Sequence, residues 1–298
     1  MRTPVPVLKD KDLQSRLNED GYVLIDLLPR STVEELSSLF HQLHDDRTDT
    51  PYDRLYTCMH NPDLEYRKQM DKEMARIINP FLNAVFEDAK NTIYTFQIKG
   101  IGSNSALRVH QDWNFARADE DFRTYTVWIP LVDCTEGNGT LSILSGSHKT
   151  FDCIRGGSIV TTLTGHDSDI RHLLKPMKIK AGQLMLFDSA LVHYSANNNS
   201  GNIRVSAMTN IVSRKADMYL YFPDGNNAEH AAEYSVPDDF FLHYSDYRKE
   251  FESPPSFGTL TRVIPNPMKE FDIEALSANA KENKTGSKFS QFLSNLFQ

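Results

Sequence analysis

A succession of short β-type runs beginning near residue 91 places the tightest constraint on the fold of this chain. The runs are separated by Gly, Asn and Ser and read TIYTFQIKG, ALRVHQDW, TYTVWIPLVDC, GTLSILSG, GSIVTTLTG, QLMLFDSALVHYS and IRVSAMTNIV. Short strands that recur roughly every dozen residues are typical of antiparallel barrels and double-sheet jelly rolls. We therefore expect a jelly-roll β core over residues 91–214.

Helical patterns dominate the residues before that core. The stretch DKDLQSRLNEDG predicts a short helix ending near Gly21, followed by a strand over 22–27. Ser31 or Thr32 then offers an N-cap for an amphipathic helix whose apolar residues are Val33, Leu36, Leu39, Phe40 and Leu43. Another helix is predicted over 72–89, interrupted or kinked by Pro80. Packed on the outside of one sheet, these helices would give an α+β fold in a single domain of residues 1–298.

Three stretches do not belong to a minimal barrel. Residues 150–177 are rich in Gly, Thr and charge and are predicted to form a long loop near one mouth of the barrel. Residues 215–265 are aromatic and acidic, and we expect them to cover the barrel. The tail has a small amphipathic segment that should dock on the body or on another subunit, with Phe289, Phe292, Leu293 and Leu296 at helical spacing.

Composition restricts the class of partner. The 298-residue chain has a formal net charge of −8, which argues against nucleic acid because phosphate binding needs clustered Lys and Arg. Cys58, Cys134 and Cys153 show no CxxC spacing, so neither a disulfide framework nor a thiolate zinc site is predicted. The first residues lack the apolar core of a signal peptide, and no apolar run approaches the roughly 18 residues of a membrane helix. We expect a cytoplasmic protein without a membrane partner; its oligomeric state stays open.

One His-x-Asp pair lies where a metal site is possible. His110 and Asp112 stand at the end of a predicted strand, and residues two apart on a strand share a face. The other such pair, His44 and Asp46, falls at the end of a predicted helix, where residues two apart diverge. His193 in LFDSALVHYS offers a third ligand. Two histidines and one carboxylate on one side of an ion leave positions open, the arrangement typical of non-haem Fe(II) oxygenases.

An arginine follows on the next strand. In IRVSAM, Arg204 alternates with the aliphatic residues Ile203, Val205 and Ala207, so it should lie on the opposite face of the strand. An arginine directed into a pocket matches a carboxylate through its planar fork of donors. A keto acid bound at the iron would present such a carboxylate.

With these residues in view, the chain resembles the phytanoyl-CoA dioxygenase family of Fe(II)/2-oxoglutarate oxygenases. The resemblance covers most of the chain and rests on EDGYVLIDLL, GIGSNSALRVHQDWNF, TYTVWIPLVDCTEGNGTLSILSGSHK and LVHYSANNNSGNIRVS, in that order. It implies a double-stranded β-helix core of the cupin type, which agrees with the jelly roll expected from the strand pattern.

The resemblance also implies roles for individual residues. His110, Asp112 and His193 match the family's iron ligands, and Arg204 matches the arginine that pairs with the distal carboxylate of 2-oxoglutarate. Three further residues are expected in the cosubstrate site: Ser195, Trp128 and, on weaker grounds, Gln97. The implied reaction uses Fe(II), 2-oxoglutarate and O2, releases succinate and carbon dioxide, and hydroxylates a C–H bond of the substrate.

The carboxylate of Asp112 separates two branches of this chemistry. Iron halogenases of this fold have Ala or Gly at the position, so its presence favours hydroxylation over halogenation. Desaturation, epoxidation and ring closure stay open. The acidic balance favours a small molecule such as an amino acid or a natural-product intermediate, with Trp113, Asn114 and Arg117 as candidate substrate contacts. Two alternatives stay open: a metal-binding or sensing barrel without turnover, and a hydroxylase of protein side chains.

Overall fold

The structure is a computed structural model that describes residues 4–45, 50–117, 121–151, 153–225, 227–243, 258–266, 271–274 and 276. Its helices are α1 Lys11–Asp20, α2 Arg30–His44, α3 Leu64–Val85, α4 Ser147–Thr150, α5 Asp167–Arg171 and α6 Phe240–His243. Its strands are β1 Tyr22–Asp26, β2 Leu55–Thr57, β3 Ala89–Asn91, β4 Thr95–Lys99, β5 Leu107–His110, β6 Tyr125–Pro130, β7 Leu141–Ile143, β8 Lys175–Pro176, β9 Gln183–Asp188, β10 His193–Ser195, β11 Arg204–Ser213, β12 Met218–Asp224, β13 Asn227–Val236 and β14 Thr259–Pro265.

Two antiparallel sheets form the core. The larger sheet has the strand order β1-β9-β6-β11-β4-β2, with β3 also paired to β11, and the smaller has the order β5-β10-β7-β8. Consecutive positions in each sheet come from distant parts of the chain, as in a jelly roll. The α+β class and the double-stranded β-helix core expected from the sequence are confirmed.

Side-chain alternation divides the larger sheet into two faces. On β11, Val205 and Ala207 belong to a large apolar cluster that also contains Leu36 of α2 and Met70 of α3. The opposite face packs against the smaller sheet through Trp128, Leu141, Ile143, Met185 and Phe187. The helices therefore cover the outer face of one sheet, as the sequence predicted, and the space between the sheets is left for a site.

Helix boundaries confirm some predictions and correct others. Helix α1 ends at Gly21, whose φ of 80° suits glycine; a Cβ there would also lie 2.4 Å from Nδ1 of His148. The predicted N-cap of α2 at Ser31 or Thr32 is wrong. Pro29 stands at the N-cap, and its carbonyl accepts the backbone N–H of Thr32.

Helix α3 is longer than predicted at its start and shorter at its end. It begins at Leu64 because the carboxylate of Asp63 accepts the backbone N–H groups of Glu65 and Tyr66. It ends at Val85, and the last predicted helical residue, Ala89, lies in β3 instead. Pro80 stays inside the helix.

The region 150–177 is more ordered than a loop. It contains α5 and β8, and its buried Phe151, Leu163 and Ile170 pack against Val109 and Tyr194 on the outer face of the smaller sheet. The strand predicted at 157–165 is wrong, because Ser158 and Gly165 have φ values of 58° and 90° that interrupt an extended chain.

The segment after residue 215 forms a third sheet, β12-β13-β14. Its apolar residues Met218, Leu220 and Phe222 pack with Phe240 and Phe241 of α6 in one cluster. The predicted tail helix near 289–296 lies outside the described residues, and so does Asp46 of the second His-x-Asp pair. Within the described ranges, no helix has both the length and the apolar character needed to cross a membrane.

Candidate metal centre

Two histidines and one aspartate meet between the sheets. Strands β5 and β10 are antiparallel neighbours, and His110 pairs directly with His193, so that their rings lie 4.1 Å apart. Oδ1 of Asp112 lies 3.5 Å from Nε2 of His110 and 3.7 Å from Nε2 of His193. In the described part of the chain, these residues form the one such cluster able to hold a metal, with ligand atoms within 4.8 Å of one another.

Backbone carbonyls orient both histidine rings. Nδ1 of His110 lies 2.8 Å from the carbonyl oxygen of Arg108, and Nδ1 of His193 lies 2.9 Å from that of Leu191. These bonds assign the proton of each neutral ring to Nδ1 and leave the lone pair of Nε2 facing the aspartate. Burial and the neighbouring His110 lower the pKa of His193 to about 4, so this ring is neutral at pH 7 and able to bind a metal.

A polar chain holds the carboxylate of Asp112. Its Oδ2 accepts a hydrogen bond from the Thr126 hydroxyl at 2.6 Å, and the Thr126 hydroxyl oxygen accepts one from Nδ2 of Asn210 at 2.9 Å. Burial works to raise the pKa of Asp112, but both histidines and the Thr126 hydroxyl outweigh it and lower the pKa. One carboxylate oxygen is thus anchored to the larger sheet while the other faces the histidines.

The region 150–177 supports the backbone of the cluster. Nε of the buried Arg155 donates to the carbonyl of Asp112 at 2.8 Å, and the Arg155 backbone N–H donates to Oδ1 of Asn114 at 2.7 Å. Asp167 accepts the backbone N–H of Val109 at 2.7 Å. These contacts fix β5 and the residues after it. Sequence analysis missed them, because neither Arg155 nor Asp167 belongs to a recognisable motif.

A cavity of about 370 Å³ opens beside the cluster. Six of the sequence-predicted site residues line this cavity: the three residues of the cluster together with Trp113, Trp128 and Gln97. The other lining residues are mostly apolar or aromatic. They include Tyr56, Met59 and His60, which the sequence did not indicate, and Phe241 from the segment expected to cover the barrel.

Two predicted substrate contacts lie elsewhere. Asn114 and Arg117 are not among the residues that line the cavity. The side chain of Asn114 bonds to the backbone of Arg155. Arg117 forms an ion pair with the buried Glu233, with an Nε–Oε1 distance of 3.1 Å, and its guanidinium lies 4.5 Å from the ring centre of Tyr219. In this structure, Asn114 thus makes a hydrogen bond and Arg117 an ion pair within the protein.

A cluster of buried cations lies deeper between the sheets. Arg204 is 1% exposed, its Nη1 donates to the carbonyl of Gly139, and its guanidinium lies 5.1 Å from the ring centre of Trp128. Trp128 in turn donates from Nε1 to Oε1 of Gln97 at 3.3 Å. Trp128 and Gln97 line the cavity, whereas Arg204 does not, so Trp128 links Arg204 to the cavity wall.

Sequence analysis missed a second cation, Lys99, which is fully buried. Its Nζ donates to the hydroxyl oxygen of Ser195 and to the carbonyl of Ser105, each at 2.7 Å. Burial, together with the charge of Arg204, lowers the pKa of Lys99 to about 7. The alternation of β4 could have indicated it, because Lys99 is two residues beyond Gln97 and shares its face.

Comparison with known proteins identifies the family. The family model described as phytanoyl-CoA dioxygenase matches residues 17–206. Phytanoyl-CoA dioxygenase domain-containing protein 1 of Danio rerio is 28% identical over 175 residues, which are 56% of this chain and 54% of that protein. The 1-deoxypentalenic acid 11-beta-hydroxylase of Streptomyces arenae is 33% identical over 118 residues, 35% of this chain and 40% of its own.

The chain spans about half the length of the curated relatives it matches. Among solved structures, the non-heme alpha ketoglutarate dependent epimerase SnoN from nogalamycin biosynthesis matches 88% of this chain and 95% of its own, with 15% identity and a TM-score of 0.49. The family model covers well over half of the residues, including the whole His110, Asp112 and His193 cluster. The chain belongs to the phytanoyl-CoA dioxygenase family of Fe(II)/2-oxoglutarate oxygenases.

Proposed function

We propose that this protein is an Fe(II)/2-oxoglutarate-dependent dioxygenase that hydroxylates a C–H bond of a small molecule. The convergence of His110, Asp112 and His193 beside a cavity carries the proposal. Iron, when bound with 2-oxoglutarate, would supply the activation of O2. The chain's own residues hold the metal, orient the cosubstrate and shape the space in which the substrate lies.

The three side chains fit Fe(II). Two imidazole nitrogens and one carboxylate oxygen form the mixed donor set that suits this metal, and the remaining coordination positions are left to exogenous ligands. The rings are held by backbone carbonyls, and the carboxylate is held by Thr126. Such hydrogen bonds fix the ligands before the metal arrives, which favours metal binding.

The buried cation cluster fits the distal carboxylate of 2-oxoglutarate. Nε of Arg204 is buried and has no hydrogen-bond partner among the described residues, and an unpaired buried donor is costly. A carboxylate at this point would satisfy it with a charge-assisted bond. Ser195 accepts from Lys99, and Trp128 contacts both Arg204 and Gln97, so we assign these residues to the same cosubstrate site.

The cavity wall suits a compact organic substrate. Trp113, Met59 and Phe241 supply apolar surface, and His60 and Thr57 supply polar groups. Pockets of this composition bind small molecules, with the few polar groups fixing their orientation. The carboxylate of Asp112 supports hydroxylation over halogenation in this proposal. We place the activity in a single cytoplasmic domain.

The test is release of succinate from 2-oxoglutarate by the purified protein, with a panel of metabolites screened for stimulation. Wild-type protein should release succinate only when Fe(II) and O2 are present, and a true substrate should increase the rate. Asp112→Ala should remove this activity, whereas Asp26→Ala, which changes an exposed carboxylate of β1, should not. Wild-type activity in Asp112→Ala would refute the ligand assignment. Metal binding without any turnover would favour the sensing alternative.

A further inference from the structure

Lys99 and Arg204 lie side by side, and no carboxylate among the described residues pairs with either of them. They are paired residues on β4 and β11, and their relative exposures are 0% and 1%. The ion pairs recorded among the described residues include neither of them. Burying one charge without an opposite partner is costly, and burying two like charges together is more so. A site with this cost is expected where an anion binds.

The donors of the two cations are arranged to receive such an anion. Lys99 uses Nζ–H groups for the Ser195 hydroxyl oxygen and the Ser105 carbonyl, which leaves one of its three protons. Because the Ser195 oxygen accepts from Lys99, the serine proton points away from Nζ and is available to donate. Arg204 contributes its unpartnered Nε.

Gly139 makes room for this arrangement. Its φ is 67°, a left-handed value that favours glycine, and a Cβ there would lie 2.2 Å from Cε of Lys99 and 2.5 Å from the carbonyl oxygen of Ala196. The carbonyl of Gly139 also accepts from Arg204. One backbone position thus contacts both cations and sets where they lie.

We infer that Lys99 is a second cation for the distal carboxylate of the 2-oxo acid, so that cosubstrate affinity depends on the protonation of Lys99. The inference rests on the proposed function for the identity of the anion. Lys99 is not one of the proposed metal ligands. It acts with Ser195 and Arg204 on the carboxylate at the far end of the cosubstrate.

The charges around Lys99 support a dependence on pH near neutrality. Arg204 faces it from β11 and stays charged, while the nearby thiol of Cys134 stays neutral because burial raises its pKa to about 11. The other neighbours do not titrate: Leu55 on β2, Ser105, and Ser195 on β10. The pKa of Lys99 is lowered to about 7, so the free site loses its second charge just above neutrality. A bound carboxylate would favour the charged form and raise that pKa.

The test measures binding of succinate to the metal-free protein by calorimetry, between about pH 6.5 and about pH 8.5, so that turnover plays no part. Wild-type affinity should fall by up to about tenfold per pH unit above pH 7. Lys99→Met should bind at least about tenfold more weakly at the lowest pH and show no such fall. Lys180→Met, which removes an exposed lysine, should follow wild type.

A charge-preserving variant separates electrostatics from packing. Lys99→Arg keeps a cation whose pKa is far above this range, so it should retain affinity for succinate and lose the pH dependence. If wild type and Lys99→Met bound succinate equally, or if the affinity of wild type did not change with pH, the role inferred for Lys99 would be overturned while the proposed function would stand. If the wild-type protein loaded with Fe(II) under anaerobic conditions bound 2-oxoglutarate at no pH, the proposed function would be overturned as well. Thermal unfolding of each variant confirms that the protein compared is folded.

Discussion

Replacing Thr126 by valine should weaken metal binding without touching a metal ligand. Valine keeps the shape of the threonine side chain but removes the hydroxyl that donates to Oδ2 of Asp112 at 2.6 Å. It also removes the acceptor of Nδ2 of Asn210, 2.9 Å away. The substitution therefore breaks one charge-assisted bond and leaves one amide N–H without this partner.

The expected loss follows from these two bonds. A hydrogen bond to a charged group contributes about 1.5–3 kcal/mol, and each 1.4 kcal/mol or so corresponds to a tenfold change in affinity. Metal affinity should thus fall about 10- to 100-fold, which is the usual range for a residue that supports a ligand. Under anaerobic conditions, competition with a chelator for Fe(II) measures this affinity directly.

Thr209→Val provides the matched control. Thr209 is also buried and lies on β11, but its hydroxyl contacts the carbonyl oxygen of Asn210 at 3.4 Å, a marginal hydrogen bond. It should leave metal affinity within about twofold of wild type. If Thr126→Val changed the affinity no more than Thr209→Val does, the chain from Asn210 through Thr126 to Asp112 would have no role in holding the metal.

Three other perturbations have definite expected outcomes. Asp112→Ala should weaken Fe(II) binding in the same chelator assay by more than Thr126→Val does, because it removes a ligand rather than its support, and a variant that still bound iron like wild type would contradict the assigned geometry. In the absence of an anion, the pKa of Lys99 is about 7 in the folded protein, below its ordinary value of 10.5. Between these two pH values the unfolded chain binds more protons, so the free energy of unfolding should rise with pH above 7 by up to about 1.4 kcal/mol per unit. Urea unfolding at different pH values measures this slope, and Lys99→Met should flatten it. Glu233→Gln removes the buried carboxylate shared by Arg117 and Arg262 and should lower the free energy of unfolding by about 3–5 kcal/mol, while leaving Fe(II) affinity as in wild type; unchanged stability would mean that the two arginines are solvated without it.

Local periodicity accounts for the parts of the site that the sequence indicated. His110 ends β5 and Asp112 lies two residues further on, so both approach His193, and the alternation in β11 turns Arg204 away from the helix-covered side. The same period places Trp128 between the sheets. These expectations needed only the residues within each run, so they held without knowledge of which strands pair.

The residues that support the metal ligands could not be predicted from the sequence, because their partners are distant in the chain. Arg155 is 43 residues from Asp112, and Asn210 is 84 residues from Thr126. No spacing rule connects such pairs; only the strand order brings them together. Lys99 shows a different limit, since a lysine at the end of an apolar strand usually reaches solvent.

Errors in the helices have a local cause. Helix α3 begins with the polar residues of LEYRKQMDK, and the predicted start at 72 followed the denser apolar pattern further on. The cap at Asp63 was the signal that marked the true start. The predicted strand at 157–165 failed because its apolar residues do not share one face. Leu163 packs against the smaller sheet, Ile159 packs with a cluster of the third sheet, and Val160 is exposed.

The attachment of region 150–177 to β5 limits how this protein can be re-engineered. A chimera that took this region from a relative would exchange Arg155 and Asp167 together with whatever surface it was meant to alter, and would disturb the backbone at two of the proposed metal ligands. The cavity is also lined by residues 55–57, 59 and 60 and by Phe241, all of which lie outside region 150–177. Mutant libraries confined to these positions would vary the cavity without exchanging Arg155 or Asp167.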